Sequence, residues 1–239
     1  MRIQIFILTH LFSVTSLFGQ AQQTKTFETE VLSHDKTKEI FNDKVKTKFN
    51  ISYPIFKVYS YKDKSGEFYL VLTESNDSIT IDKDTLHSNI KAFNLIKSNT
   101  GLVKKWEIND FKIKQINNEG LETSISFLTK YCEFQDIDND NIIDPILVYG
   151  SAGINGYGDG RIKILIFYKE QKITIRHQNG ILDFWRNTKV DKAFYSLPLV
   201  LQNHVKDLMQ KMVGSDLTNF PDGWQDAMSK HKLYFDENK

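Results

Sequence analysis

Nine residues, Asp136-Ile137-Asp138-Asn139-Asp140-Asn141-Ile142-Ile143-Asp144, carry the most specific chemical signal in the chain. Carboxylates at loop positions one, three, five and nine can converge on one hard cation, with the carbonyl of position seven, Ile142, turned to the same point. Without a counter-ion, four clustered anions repel. Calcium suits the set because it accepts roughly six to eight oxygens in flexible geometry, whereas magnesium demands a tighter octahedron and gives up water reluctantly. Position six needs a sharp turn, and Asn141 is the non-glycine residue type that best reaches left-handed backbone. The expected ligands are therefore Asp136, Asp138, Asp140, Ile142 and Asp144, and calcium is the expected cofactor. Its role is structural, since every carboxylate is used in holding the loop. The competing reading is a solvated acidic turn whose aspartates bond only backbone.

A second group could contact a ligand. Asn155, Tyr157 and Asp159 stand in the glycine-rich stretch 151–160, which lacks the Lys-Ser/Thr ending of a phosphate loop and precedes a strand rather than a helix. These side chains suit sugar hydroxyls. Farther on, a tight Asn179-Gly180 turn would set Arg176 opposite Asp183, with His177 on an apolar strand face. Arg176, His177 and Asp183 then form a polar cluster for a glycan or an acid/base pair, or else a buried histidine beside a surface ion pair. Neither a histidine-rich metal motif nor a nucleophile elbow is present in the sequence.

A helical calcium hand would carry a bidentate Glu at position twelve, where this chain has Leu147. With strand-like flanks at 131–134 and 145–149, the loop instead resembles the calcium loop of FG-GAP and related β-propeller repeats. A wider resemblance runs through Lys62-Asp63-Lys64-Ser65-Gly66, Trp106-Glu107-Ile108-Asn109-Asp110, Thr129-Lys130-Tyr131-Cys132, Gly160-Arg161-Ile162-Lys163, Arg176-His177-Gln178-Asn179-Gly180, Phe194-Tyr195-Ser196-Leu197-Pro198 and Gly223-Trp224-Gln225. These segments are similar to an exported bacterial family named for surface polysaccharide biosynthesis. The resemblance spans nearly all of the mature chain and implies a role in making lipopolysaccharide or capsule in a Gram-negative envelope. It implies no catalytic residues.

The elements that would position these groups read mainly as strands. Residues 55–61 and 67–74 flank Lys62-Asp63-Lys64-Ser65-Gly66 as a hairpin, 90–96 and 102–108 form a second, 124–134 is a further strand, and 161–168 pairs with 173–178. Asn179-Gly180 then leads into a strand at 181–185. Leu70-Val71-Leu72, Ile90 and Leu102-Val103 recur in order as Ile146-Leu147-Val148, Ile162 and Ile173-Thr174-Ile175, a pattern open to two propeller-blade-like units. From about 191 the period changes: Leu201, Val205, Leu208, Met209 and Met212 share a helical face ended by Gly214, and Pro221-Asp222-Gly223 introduces a shorter helix with Trp224 and Met228. Phe41, Val45 and Phe49 have helical spacing in a charged segment, which leaves a helix or an irregular cover open. The fold class is α+β, predominantly an antiparallel β meander with C-terminal helices.

Residues 1–21 have a basic start at Arg2, a short apolar run and small residues at Gly19 and Ala21, as a secretory signal peptide requires. A single exported domain, 22–239, is expected, in the periplasm or on the outer surface. Polar residues interrupt the run below the roughly 18 apolar positions that a membrane anchor needs, and no later run in the sequence is long enough. Removing Arg2 from the 31 basic residues leaves 30 against 30 acidic ones, so no overall field favours nucleic acid. The lone Cys132 cannot make an internal disulfide and reads as a buried strand residue. A non-catalytic module that binds a glycan or an envelope assembly protein is preferred, with a glycan-modifying enzyme as the alternative. An interaction scaffold would instead expose an apolar patch.

Overall fold

Alternation of apolar and polar residues builds two antiparallel sheets in the computed structural model, which describes residues 29–113 and 122–237. The first sheet uses β1 (Thr29–Val31), β2 (Ile55–Asp63), β3 (Gly66–Glu74), β6 (Asn89–Ser98) and β7 (Gly101–Phe111), hydrogen-bonded in that order. Helices α1 (His34–Ile40) and α2 (Asp43–Phe49) interrupt it after β1, and the short β4 (Ser78–Ile79) and β5 (Thr85–Leu86) form a separate finger. The second sheet contains β8 (Ser124–Phe127), β9 (Glu133–Gln135), β10 (Asp144–Ala152), β11 (Arg161–Tyr168), β12 (Gln171–Gln178), β13 (Asn187–Val190) and β14 (Tyr234–Asp236). Its order is β14-β13-β12-β11-β10-β8, with β9 also paired to β10. Helices α3 (Leu199–Val213) and α4 (Trp224–Ser229) precede β14. The signal segment lies outside the described residues.

Period two decides which face each strand buries. Tyr59, Tyr61, Leu70, Leu72 and Ile108 of the first sheet pack with Phe127, Phe134, Leu147, Leu165 and Phe167 of the second. Trp106 and Phe167 stack across this interface with centroids 3.7 Å apart. Behind the first sheet, Val58, Val71 and Phe93 meet Phe41, which caps α1, and Phe49 of α2. Behind the second, Ile146, Ile164 and Ile175 meet Leu201, Val205, Leu208, Met209 and Met212 of α3 and Trp224 and Met228 of α4. The result is four layers, helices–sheet–sheet–helices. Each side chain of this size, fully buried, contributes ~1.5–3 kcal/mol relative to exposure.

The apparent repeat has a geometric counterpart. Its first copy falls on β3, β6 and β7, its second on β10, β11 and β12, and each set occupies adjacent strands. In both sets a long excursion joins the first two strands and a tight turn joins the next two. Each set is thus a three-stranded antiparallel meander.

Three local expectations are corrected. First, 124–134 is not one strand: a single 3-10 turn at Thr129–Tyr131 separates β8 from β9, and Cys132 follows that turn. Its thiol is tucked between the carbonyls of Leu128 and Val148, and burial pushes it up to about 12. Second, 181–185 is not a strand; Asp183–Trp185 forms a 3-10 turn and β13 begins at Asn187. Third, the β11–β12 turn is only Lys169-Glu170, both at positive φ (46° and 66°), so β12 starts two residues earlier than its β-branched run suggests.

Candidate metal centre

The acidic loop leaves β9 and enters β10, so the register of that pair fixes both of its ends: Asp144 lies opposite Gln135. Asn139 and Asn141 adopt positive φ, 60° and 66°, the second at the position where the sequence demands a sharp turn. Asp136 gathers the loop through two backbone amides, accepting from Asp140 N at 2.9 Å and Asn141 N at 2.8 Å. Asp138 accepts the Tyr168 hydroxyl at 2.9 Å, and Asp144 accepts the Ile137 amide at 3.1 Å.

Carboxylate oxygens of Asp136, Asp138 and Asp144 lie within 4.8 Å of one another, a span that one cation could bridge. Asp144 is 2 % exposed. Burial, together with the charges of Asp138, Asp140 and Asp136, pushes its carboxyl up to about 7. Asp140 stands apart from this grouping: one oxygen accepts the Ile142 amide at 2.9 Å, and the other lies 3.5 Å from the Lys169 ammonium. Of the five expected ligands, three carboxylates therefore converge, one is drawn aside, and Ile142 contributes the amide that draws it.

The loop is fastened to the opposite sheet. Asp63, at the end of β2, accepts Ser65 N at 2.7 Å and Ser65 Oγ at 2.6 Å, which shapes the β2–β3 turn. Gly66 completes that turn at φ 150°, where an added Cβ would meet Ile96 Cδ1 at 2.8 Å. The second Asp63 oxygen accepts the Ile143 amide at 3.1 Å, and Lys64 N donates to the Asn141 carbonyl at 3.1 Å. The acidic loop thus bridges the two sheets.

The second expected group is dispersed. Asn155 donates its amide and side-chain nitrogen to one oxygen of Asp159, at 3.2 and 3.0 Å, while the buried Asp159 Oδ1 has no hydrogen-bond partner among the described residues. His177 is 3 % exposed, its ring bonded to Thr188 Oγ1 at 2.9 Å and Asn179 Oδ1 at 2.7 Å. Burial pushes it down to about 4. Asn179 also donates to the carbonyls of Tyr157 and Leu217, at 2.7 and 2.9 Å, so it is a buried peg and not a turn residue. Consequently Arg176 lies opposite Lys189 and pairs with Asp191 at 2.7 Å, while the exposed Asp183 pairs with Arg186 at 2.7 Å. The expected Arg176–Asp183 pair does not form.

At the far end of β11, sequence reasoning missed Arg161 and Lys163. Arg161 donates to both oxygens of Glu122, with Nη2 at 2.7 Å from Oε2, and to the Phe111 carbonyl at 3.0 Å. Lys163 donates to Asp110 at 2.5 Å, and Tyr149 donates to the same oxygen at 2.9 Å. Burial alone would raise Asp110, but the Lys163 ammonium, the Phe111 amide and the Tyr149 hydroxyl together outweigh it and hold the carboxyl below its ordinary value. These partners lie far apart in sequence, and the available signal was only the outward phase of two basic residues on a strand. Comparisons with known proteins find no matching family model, no matching curated protein and no matching solved structure.

Proposed function

We propose that this chain is an exported, calcium-stabilised binding module of the bacterial envelope, serving surface polysaccharide assembly by holding a glycan or an assembly partner. The observation that carries the calcium part is the grouping of Asp136, Asp138 and Asp144 within 4.8 Å, with a deeply buried member and, among the described residues, no cationic side chain as its partner. An ion there would neutralise a repulsive cluster and, through Asp63 and Lys64, fasten the acidic loop to the first sheet. The polysaccharide part is supported by the family resemblance of the segments quoted above.

Binding is favoured over turnover by where the unusual carboxyls lie. Outside the loop, Glu74 is raised, chiefly by burial, but it is 5 % exposed and its Oε1 accepts the Phe127 amide at 2.8 Å. A carboxyl sealed between two sheets cannot reach a glycosidic bond. Phe184, Trp185 and Tyr234, by contrast, are about half exposed and available to a sugar face. The test is a calorimetric melt with calcium and with chelator. A site at roughly hundredfold saturation stabilises by about 2.7 kcal/mol, on the order of 5–10 °C for a chain of this size. Asp138→Ala is expected to abolish the difference, and identical melts of the native protein would refute the site.

A further inference from the structure

Two rungs of the second sheet point away from α3: Arg161, Gln178 and Asn187 lie opposite one another on β11, β12 and β13, as do Lys163, Arg176 and Lys189. They line a cavity of about 270 Å³. Among the described residues, its wall holds four cationic side chains and two amides, and no carboxylate. Arg161, Lys163 and Arg176 are each fixed from outside that wall, by Glu122, Asp110 and Asp191 respectively. A guanidinium has five N–H donors and an ammonium three, so the paired cations keep unused donors. Lys189 has no ion-pair partner among the described residues, and its ammonium lies 6.0 Å from the Tyr234 ring centre.

The loop that joins β12 to β13 leaves this cavity at Gln178 and returns at Asn187, exposing Ile181, Leu182, Phe184 and Trp185 on the way. We propose that this face binds an acidic glycan, a sugar chain bearing carboxylates, with Lys189, Arg176 and the two recessed cations taking the anionic groups and the aromatic loop covering sugar rings. The inference rests on the reading of the chain as a binding module and names the ligand class and the face. Recession favours a narrow chain over a flat anionic membrane: Arg161 and Lys163 side chains are only 18 % and 21 % exposed. A donor-rich wall with bidentate guanidinium groups matches carboxylate oxygens better than neutral hydroxyls.

Titration calorimetry on the full chain, with tetragalacturonate as the probe, tests this. The acid form is expected to bind, and to weaken as salt rises from about 50 to about 300 mM. Lys189→Glu, at an exposed strand position, is expected to weaken binding about tenfold or more, and the methyl-esterified tetramer to bind about tenfold less tightly than the acid. Arg176→Gln serves as a second variant should the charge reversal disturb the sheet. Equal binding of acid and ester would overturn the acidic specificity while leaving a glycan-binding module. Absence of acid binding, unchanged binding in both variants, or binding of phosphatidylglycerol vesicles or inorganic phosphate in place of the tetramer would overturn the proposal. The calcium melt is a separate readout, so either reading can fail without the other.

Discussion

At the Asp144 end of the β10–β11 pair, three carboxylates share one small space; at the Arg161 end, each recessed cation has a carboxylate of its own. The two ends belong to the same pair of strands, yet they pose opposite electrostatic problems. Charges matched one to one are stable as they stand, and removing either partner strands the other. Like charges gathered without a match are stable only when something from outside joins them. A buried carboxylate is not a fixed stabilising or destabilising unit; its sign depends on what the fold has placed beside it.

The largest effect is expected from deleting a carboxylate at the matched end. Glu122→Ala leaves the Arg161 guanidinium and the Ser151 hydroxyl, which donates to Glu122 at 2.6 Å, without that partner. Urea unfolding should show a loss of about 3–5 kcal/mol. A loss near zero would mean that the pair is solvated and the comparison fails.

The matched end also carries the titrating group His177. It is pushed down to about 4 when folded, whereas an unfolded histidine titrates near about 6.5. Its contribution is therefore fully present above the unfolded value and is lost as pH falls through the folded one, about 3 kcal/mol in total. Urea midpoints measured in calcium at about pH 7 and about pH 4.5 should show this decline, and His177→Gln should flatten it.

A smaller effect, of the opposite sign to that of Glu122→Ala, is expected at the crowded end. Asp144→Asn keeps an acceptor for the Ile137 amide and removes one of the repelling charges. In chelator it should stabilise by about 1–3 kcal/mol, and the increment from calcium should disappear. Destabilisation in chelator would show that the loop carboxylates do not repel. The smallest effect belongs to the exposed pair Lys105–Glu170, which links β7 to the β11–β12 turn at 2.6 Å. Lys105→Ala should leave the melting temperature unchanged within error.

The sequence carried the local features and missed the distant partners, for physical reasons. Acidic spacing, the left-handed Asn141 and the α3 stripe are short-range properties written into neighbouring residues, and each appears in the structure. Asp140 is turned from the other three carboxylates toward the Ile142 amide and toward Lys169, which comes from another turn and which spacing cannot reveal. Asn179-Gly180 looked like a hairpin turn, but the Asn179 side chain is used in a buried network that reaches Tyr157 and Leu217. That single misreading displaced the strand after it and assigned Arg176 the wrong acid. The type of turn at Lys169-Glu170 was also hidden, since positive φ at both positions ordinarily selects Gly or Asn.

Titration of calcium into chelator-stripped protein tests the central claim most directly. One ion per chain is expected, with the heat lost in both Asp138→Asn and Asp144→Asn and retained in Lys105→Ala. Absence of binding heat together with an unaltered melt, or a stoichiometry indifferent to Asp138 and Asp144, would contradict it.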